Sequence, residues 1–159
     1  MVERLRSLGQ ISAQSVTDLT KCFNDFFRRG GGELTSDHLW SWLYRTATQG
    51  LLPENVLFLV GRDDAEGGIR WFAFAVAMTE GWNPAEGIVR ITAMYVEPGA
   101  RLRTGFLKWI EAWARSQNAG TIVFQTARES NAMERHSRSG GHGYEPQFTV
   151  FAKQVTYDE

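Results

Sequence analysis

The chain has 159 residues, of which 43% are hydrophobic and 22% are charged. A chain of this size buries about 70% of its unfolded surface when it folds as one domain. Seventeen Lys and Arg against eighteen Asp and Glu leave a net charge of −1, which provides no overall attraction to nucleic acid or anionic lipid. We therefore expect a single domain over residues 1–159, with phosphate binding confined to a local site.

The apolar and metal-ligating residues exclude further classes of protein. The longest apolar run, Trp71 to Met78, is far shorter than the roughly 20 residues of a membrane-spanning helix. Charges interrupt the first six residues too early for a signal peptide, so we expect a cytoplasmic protein without a membrane partner. The single cysteine, Cys22, excludes an intrachain disulfide. The three histidines show no zinc-ligand spacing, and we predict no metal.

Two amphipathic helices are predicted in the first third of the chain. Ser15 followed by Asp18 resembles a capping box, and apolar residues then recur at helical spacing until the basic and glycine-rich segment 28–32. Thr35 or Ser36 can cap a second helix, which ends at Gly50.

Three apolar runs of strand length come next. They are Val56–Val60, Trp71–Met78 and Ile88–Val96, and a turn from Gly81 to Gly87 separates the last two. Consecutive strands with short connections predict an antiparallel meander.

The remaining segments predict a crossover. An apolar stripe from Leu102 to Ala114 has helical spacing, and Thr121–Phe124 is β-prone. A strand, helix and strand in that order favour parallel pairing. A short fourth helix from Ser130 to about Ser139 and a final strand, Phe148–Val155, complete the order. The predicted fold class is mixed α/β, with a mostly antiparallel sheet and flanking helices.

At this point the C-terminal half resembles the GCN5-related N-acetyltransferase (GNAT) superfamily. Tyr95-Val96-Glu97-Pro98 is similar to the V-x-P strand end of the family. The helix that ends in residues 111–115 and the turn Gly143-Tyr144-Glu145-Pro146 are similar to its alanine-containing helix end and its G-F-E-P-like turn. With the order of elements, the resemblance covers roughly residues 55 to 155.

The resemblance implies an acyl-CoA site between two splayed parallel strands, Ile88–Val96 and Thr121–Gln125. Backbone groups of the first strand would pair with the pantetheine arm, and the next loop would wrap the pyrophosphate. Free N–H groups and the positive end of a helix dipole favour a diphosphate there. Arginine side chains add charge-assisted contacts. The implied cofactor-binding residues are Met94, Tyr95, Val96, Arg101, Leu102, Arg103, Thr104, Gly105 and Asn131.

Two segments depart from the family pattern. The loop Gly99–Phe106 offers one glycine near the place where the family reads R-x-x-G-x-G/A. The family often has a tyrosine that protonates the thiolate, and Ser139 stands at that position. His136 is then the nearest proton donor. Glu97 and Glu80 are the candidate bases that would deprotonate an amine.

The leading hypothesis is an N-acetyltransferase that transfers an acetyl group from acetyl-CoA to an amine on a small molecule or protein. A GNAT-like fold without catalysis, similar to degenerate bacteriophage proteins, is the alternative. A basic C-terminal half also leaves a nucleic-acid-binding protein open, although the net charge disfavours it. An exposed final strand would allow a homodimer.

Overall fold

The computed structural model describes residues 1–30, 33–63, 67–80, 83–100 and 105–124. The predicted fourth helix and final strand lie outside these residues. Within them, three α-helices flank one five-stranded sheet. The predicted mixed α/β class and its mostly antiparallel sheet are confirmed.

The first three predicted helices are present. They are α1 (Ala13–Gly30), α2 (Ser36–Thr46) and α3 (Gly105–Ser116). The start of α1 differs from the prediction, because Ser12 caps the helix: its Oγ accepts the Ser15 N–H at 3.1 Å. Ser15 is instead buried inside the first turn.

The strands are β1 (Val2–Leu5), β2 (Val56–Arg62), β3 (Ile69–Glu80), β4 (Asn83–Val96) and β5 (Ala119–Phe124). They lie in the order β1-β2-β3-β4-β5. The pairs from β1 to β4 are antiparallel, and β4 pairs with β5 in parallel through the α3 crossover. Both the meander and the parallel pair were expected from the sequence.

Two parts of the sheet differ from the prediction. Strand β1 has no counterpart in the predicted order, and it pairs with β2 from Val2↔Gly61 to Leu5↔Phe58. The predicted turn at 81–87 is wrong for residues 83–87, which belong to β4. The register passes from Thr79↔Gly87 to Glu80↔Asn83, so residues 84–86 have no partner in β3. An irregularity of this kind tolerates a proline, which has no N–H to donate.

Each face of the sheet has its own core. Helix α1 and Leu43 of α2 cover one face, where Phe23 contacts Phe72 edge to face with ring centroids 4.8 Å apart. Helix α3 packs on the other face, where the ring centroids of Phe106 and Trp71 lie 5.6 Å apart. Because neighbouring residues of a strand point to opposite faces, β3 supplies both cores. Burial of these large aromatic rings is the main stabilisation of the described fold.

Candidate functional site

The backbone at the end of β4 has one edge turned away from β3. The Glu97 N–H donates to the Arg70 carbonyl oxygen at 2.9 Å. Since N–H groups alternate in direction along a strand, the Tyr95 N–H also points toward β3. The N–H groups of Met94 and Val96 therefore point to the opposite edge, the side on which β5 lies. These are donors suited to an extended ligand arm.

A β-bulge bends β4 at the point where its described pairing with β5 ends. Phe74 pairs with Ala93 and Ala75 pairs with Ile91, so Thr92 is the extra residue. Strand β5 pairs with β4 as far as Ile91↔Phe124. A bulge strengthens the local twist of a strand and changes the direction of the residues after it. Residues 93–96 thus extend beyond the described β4–β5 pairing, at the place where the family resemblance implies an acyl-CoA site.

A tight turn connects β4 to the segment before α3. The Ala100 N–H donates to the Glu97 carbonyl oxygen at 2.9 Å. Pro98 occupies the second position and Gly99 the third, with φ of 80° at the glycine, which is the pattern of a type II turn. Gly105 then begins α3. The first N–H groups of a helix have no intrahelical acceptor and attract anions.

The carboxylate of Glu97 is held between two cations. Lys21 Nζ lies 2.7 Å from Oε1, and Arg70 Nε contacts Oε2. The hydrogen bond from Lys21 and the charge of Arg70 lower the pKa of Glu97 in spite of partial burial. A carboxylate with a lowered pKa is a weaker base than an ordinary glutamate. The same contact raises the pKa of Lys21.

Tyr95 directs its side chain into the core beneath α1. Its hydroxyl donates to Asp25 Oδ2 at 3.2 Å, and the Arg29 guanidinium lies 5.5 Å from the ring centroid. Burial and the neighbouring Asp25 carboxylate raise the pKa of Tyr95 to about 12. Tyr95 therefore offers neither its phenol nor its N–H to the edge of β4 that faces away from β3, and its phenol connects the strand to α1.

The other predicted site residues are not brought together within the described chain. Glu80 ends β3 opposite Asn83, at the far end of β4 from Glu97. Gly105 is the first residue of α3. Arg101, Leu102, Arg103, Thr104, Asn131 and His136 lie outside the described residues.

Sequence reasoning missed the partners of the β4 end, namely Lys21, Asp25 and Arg70. Lys21 and Glu97 are 76 positions apart, and no local motif connects them. The described residues contain no group of three His, Cys, Asp or Glu placed to hold a metal ion. None of the described helices is long and apolar enough to cross a membrane.

Cys22 lies on α1 and is buried in the core between this helix and the sheet. Its thiol lies 3.7 Å from the Ile69 carbonyl oxygen. Burial raises the pKa of Cys22 to about 12. The thiol is therefore protonated at neutral pH, which is unsuited to nucleophilic attack.

Comparison with solved structures shows that this chain has the fold of the GNAT acetyltransferases. A GNAT family acetyltransferase from Staphylococcus aureus has a TM-score of 0.67 at 16% identity, with 98% of each chain covered. An aminoglycoside acetyltransferase from an uncultured soil metagenomic sample, solved with sisomicin, has a TM-score of 0.68 at 14% identity and covers 98% of this chain and 96% of its own.

AAC(6')-Iy in complex with the bisubstrate analog CoA-S-monomethyl-acetylneamine has a TM-score of 0.66 at 12% identity, again with 98% of each chain covered. No protein-family model matches this sequence, and no curated protein matches it. The similarity between this chain and these acetyltransferases is therefore a similarity of fold.

Proposed function

We propose that this protein is an N-acetyltransferase that uses acetyl-CoA and an amine acceptor. The observation that carries the proposal is the edge of β4 that faces away from β3 after the Thr92 bulge, together with the 97–100 turn and the start of α3. This arrangement offers strand N–H groups to an amide-bearing arm and leads the chain toward helix N–H groups suited to phosphates. AAC(6')-Iy, which shares the fold, binds a molecule that joins CoA to an acetylated amine.

The proposed reaction is a direct transfer. The amine nitrogen attacks the thioester carbonyl carbon, the carbon–sulfur bond breaks, and the thiolate of CoA leaves and takes a proton. The Val96 N–H, which points away from β3, would polarise the carbonyl oxygen. No enzyme nucleophile is needed, which agrees with the buried, protonated thiol of Cys22.

Proton transfer requires a general base for the amine and a donor for the leaving thiolate. Glu97 is less suited to be the general base, because its ion pairs lower its pKa. Glu80 pairs with Asn83 at the far end of β4 from Val96, so it is not placed for that role either. We assign the protonation of the leaving thiolate to His136. Arg101 and Arg103 would bind the pyrophosphate, with Leu102, Thr104 and Gly105 in the same loop and Asn131 on the cofactor arm.

Calorimetric titration with acetyl-CoA tests the cofactor. We expect micromolar binding that is lost in the Arg101→Ala/Arg103→Ala double variant. Saturation at about 100 times Kd should stabilise the protein by about 2.7 kcal/mol, seen as a rise in Tm of several degrees. No heat and no thermal shift at millimolar acetyl-CoA would refute the proposal.

Release of the free CoA thiol, monitored with a thiol reagent over a panel of aminoglycosides, polyamines and peptide N-termini, tests the transfer. The buried Cys22 should contribute little background. His136→Ala should lower kcat while acetyl-CoA still binds. Binding without thiol release for any amine would instead favour a GNAT-fold binding protein that lacks catalysis.

A further inference from the structure

Four side chains of alternating charge form a chain across the end of the sheet beside the β4 turn. Lys21 of α1 contacts Glu97, Glu97 contacts Arg70 of β3, and Arg70 Nη1 contacts Asp63 Oδ2 at 3.0 Å. Each carboxylate oxygen of Glu97 has its own cation. We call these four residues the β4 clamp. It joins a helix, a strand and a hairpin to the residue that opens the 97–100 turn.

The backbone aims Arg70 at Glu97. The register between β2 and β3 passes from Gly61↔Trp71 to Arg62↔Ile69, so Arg70 is the extra residue of a bulge. Arg70 and Glu97 lie directly opposite each other, because the Glu97 N–H donates to the Arg70 carbonyl oxygen. Cross-strand pairs of opposite charge at such positions stabilise the local register. Arg70 thus holds Glu97 through both backbone and side chain.

The clamp contributes more to the local geometry of the 97–100 turn than to the free energy of unfolding of the protein. The Lys21 side chain is 67% exposed, against 20% for Glu97, and exposed ion pairs contribute little to unfolding free energy. The same Glu97 accepts the Ala100 N–H through its carbonyl oxygen. Fixing the side chain of Glu97 from two directions therefore limits the rotation of the first residue of the turn, whose carbonyl oxygen accepts the closing hydrogen bond.

We infer that Lys21 and Arg70, acting through Glu97, are positioning residues for the cofactor: they fix the 97–100 turn between the end of β4 and the start of α3. This inference rests on the proposed function. Binding then needs less ordering of the turn, which improves affinity by pre-organisation. The clamp acts on acetyl-CoA affinity and leaves the chemical step unchanged.

The test compares acetyl-CoA binding by wild type, Lys21→Met and Glu97→Gln with binding by a matched control, Glu111→Gln. The control also removes one ion pair, since Glu111 contacts Arg115 at 3.8 Å within α3. We expect Kd to rise about five- to tenfold in the clamp variants, the scale of a charge-assisted contact, and less than twofold in the control. The conservative variant Lys21→Arg should bind acetyl-CoA with nearly the wild-type Kd. In all these variants, kcat at saturating acetyl-CoA should stay within about twofold of the wild-type value.

Amide hydrogen exchange supplies a second readout that does not need the cofactor. The Ala100 N–H should exchange faster in Lys21→Met and Glu97→Gln than in wild type and Glu111→Gln, with exchange in α3 unchanged. If wild type and the clamp variants bind acetyl-CoA equally well, the inference about the clamp is wrong and the proposed function is unaffected. Wild type that binds no acetyl-CoA overturns the proposed function and the cofactor role of the clamp with it.

Discussion

Gly61 provides the space into which the Trp71 indole packs across the β2–β3 pair. A Cβ atom built on Gly61 would lie 1.7 Å from Trp71 Cε2 and 1.8 Å from Nε1. The same indole contacts Phe106 of α3, so it cannot move aside without disturbing the packing of that helix. The glycine is required here by close packing, and its φ has no part in the requirement.

Gly61→Ala should therefore destabilise the protein by about 1–3 kcal/mol, the typical cost of overpacking a core. Urea unfolding monitored by tryptophan fluorescence measures the effect. Gly120→Ala is the matched control, because a Cβ there meets nothing within 4 Å and the residue is also in a strand. Equal free energies of unfolding for the two variants would contradict the packing role assigned to Gly61.

At the same scale, the end of β4 was predictable from the sequence, and the ion pairs of Glu97 were not. A strand-end motif that is local in sequence placed Met94, Tyr95 and Val96 at the end of this strand. The ion pairs of Glu97 depend on a bulge at Arg70 and on the approach of α1, and neither leaves a periodic signal in the sequence. Glu97 therefore looked like a free carboxylate, whereas its partners lower its pKa.

Helix α2 is amphipathic, and two of its adjacent residues differ strongly in burial. Leu43 is fully buried in the core beneath α1, whereas Tyr44 is 65% exposed. Leu43→Ala removes buried methyl groups and leaves a cavity, so we expect a loss of about 2–5 kcal/mol. Tyr44→Ala changes an exposed position on the same turn and should stay within about 0.5 kcal/mol.

Thermal and urea unfolding of the two α2 variants check this difference, and acetyl-CoA binding checks that neither change alters the β4 end. A large loss for Tyr44→Ala would show that the contact of this exposed ring with Trp40, at a centroid distance of 6.4 Å, contributes to stability more than its exposure indicates.

The elements that the sequence predicted are those with a continuous or periodic apolar pattern. Strand β2 and helix α3 have such patterns, and their placement is confirmed. Strand β1 mixes Glu3 and Arg4 with two apolar residues, because it lies at the edge of the sheet and only Leu5 is fully buried. The start of β4 was mistaken for a turn because its Asn-Pro and glycine residues are turn-prone, although a bulged pairing with β3 accommodates them.

On the scale of the whole molecule, two groups buried in the core between α1 and the sheet contribute to the loss of stability at alkaline pH. Tyr95 and Cys22 are both buried there, and the pKa of each is raised to about 12. Burial is the largest cause for both, since the charged forms lose hydration inside the protein. Each group therefore ionises more readily in the unfolded chain than in the folded one.

The sign of the pH dependence comes from this difference. Below the ordinary pKa values of 9.0 for cysteine and 10.0 for tyrosine, neither group ionises in either state and their full contribution is present. As the pH rises from about 9 toward 12, the unfolded chain loses protons that the folded chain keeps. The free energy of unfolding should then fall by at most about 1.4 kcal/mol per pH unit for each group.

Tyr95→Phe should make the alkaline loss shallower above pH 10, because it removes one of the two groups while keeping the ring in the core. Urea unfolding between pH 8 and pH 11.5, with ionisation monitored by absorbance at 295 nm, measures both the slope and the titration. Tyr44→Phe is the control, since it removes a phenol that is exposed on α2 and not buried in the core. An identical slope for wild type and Tyr95→Phe would show that Tyr95 ionises in the folded protein as it does in water, and that the contact with Asp25 does not hold its proton.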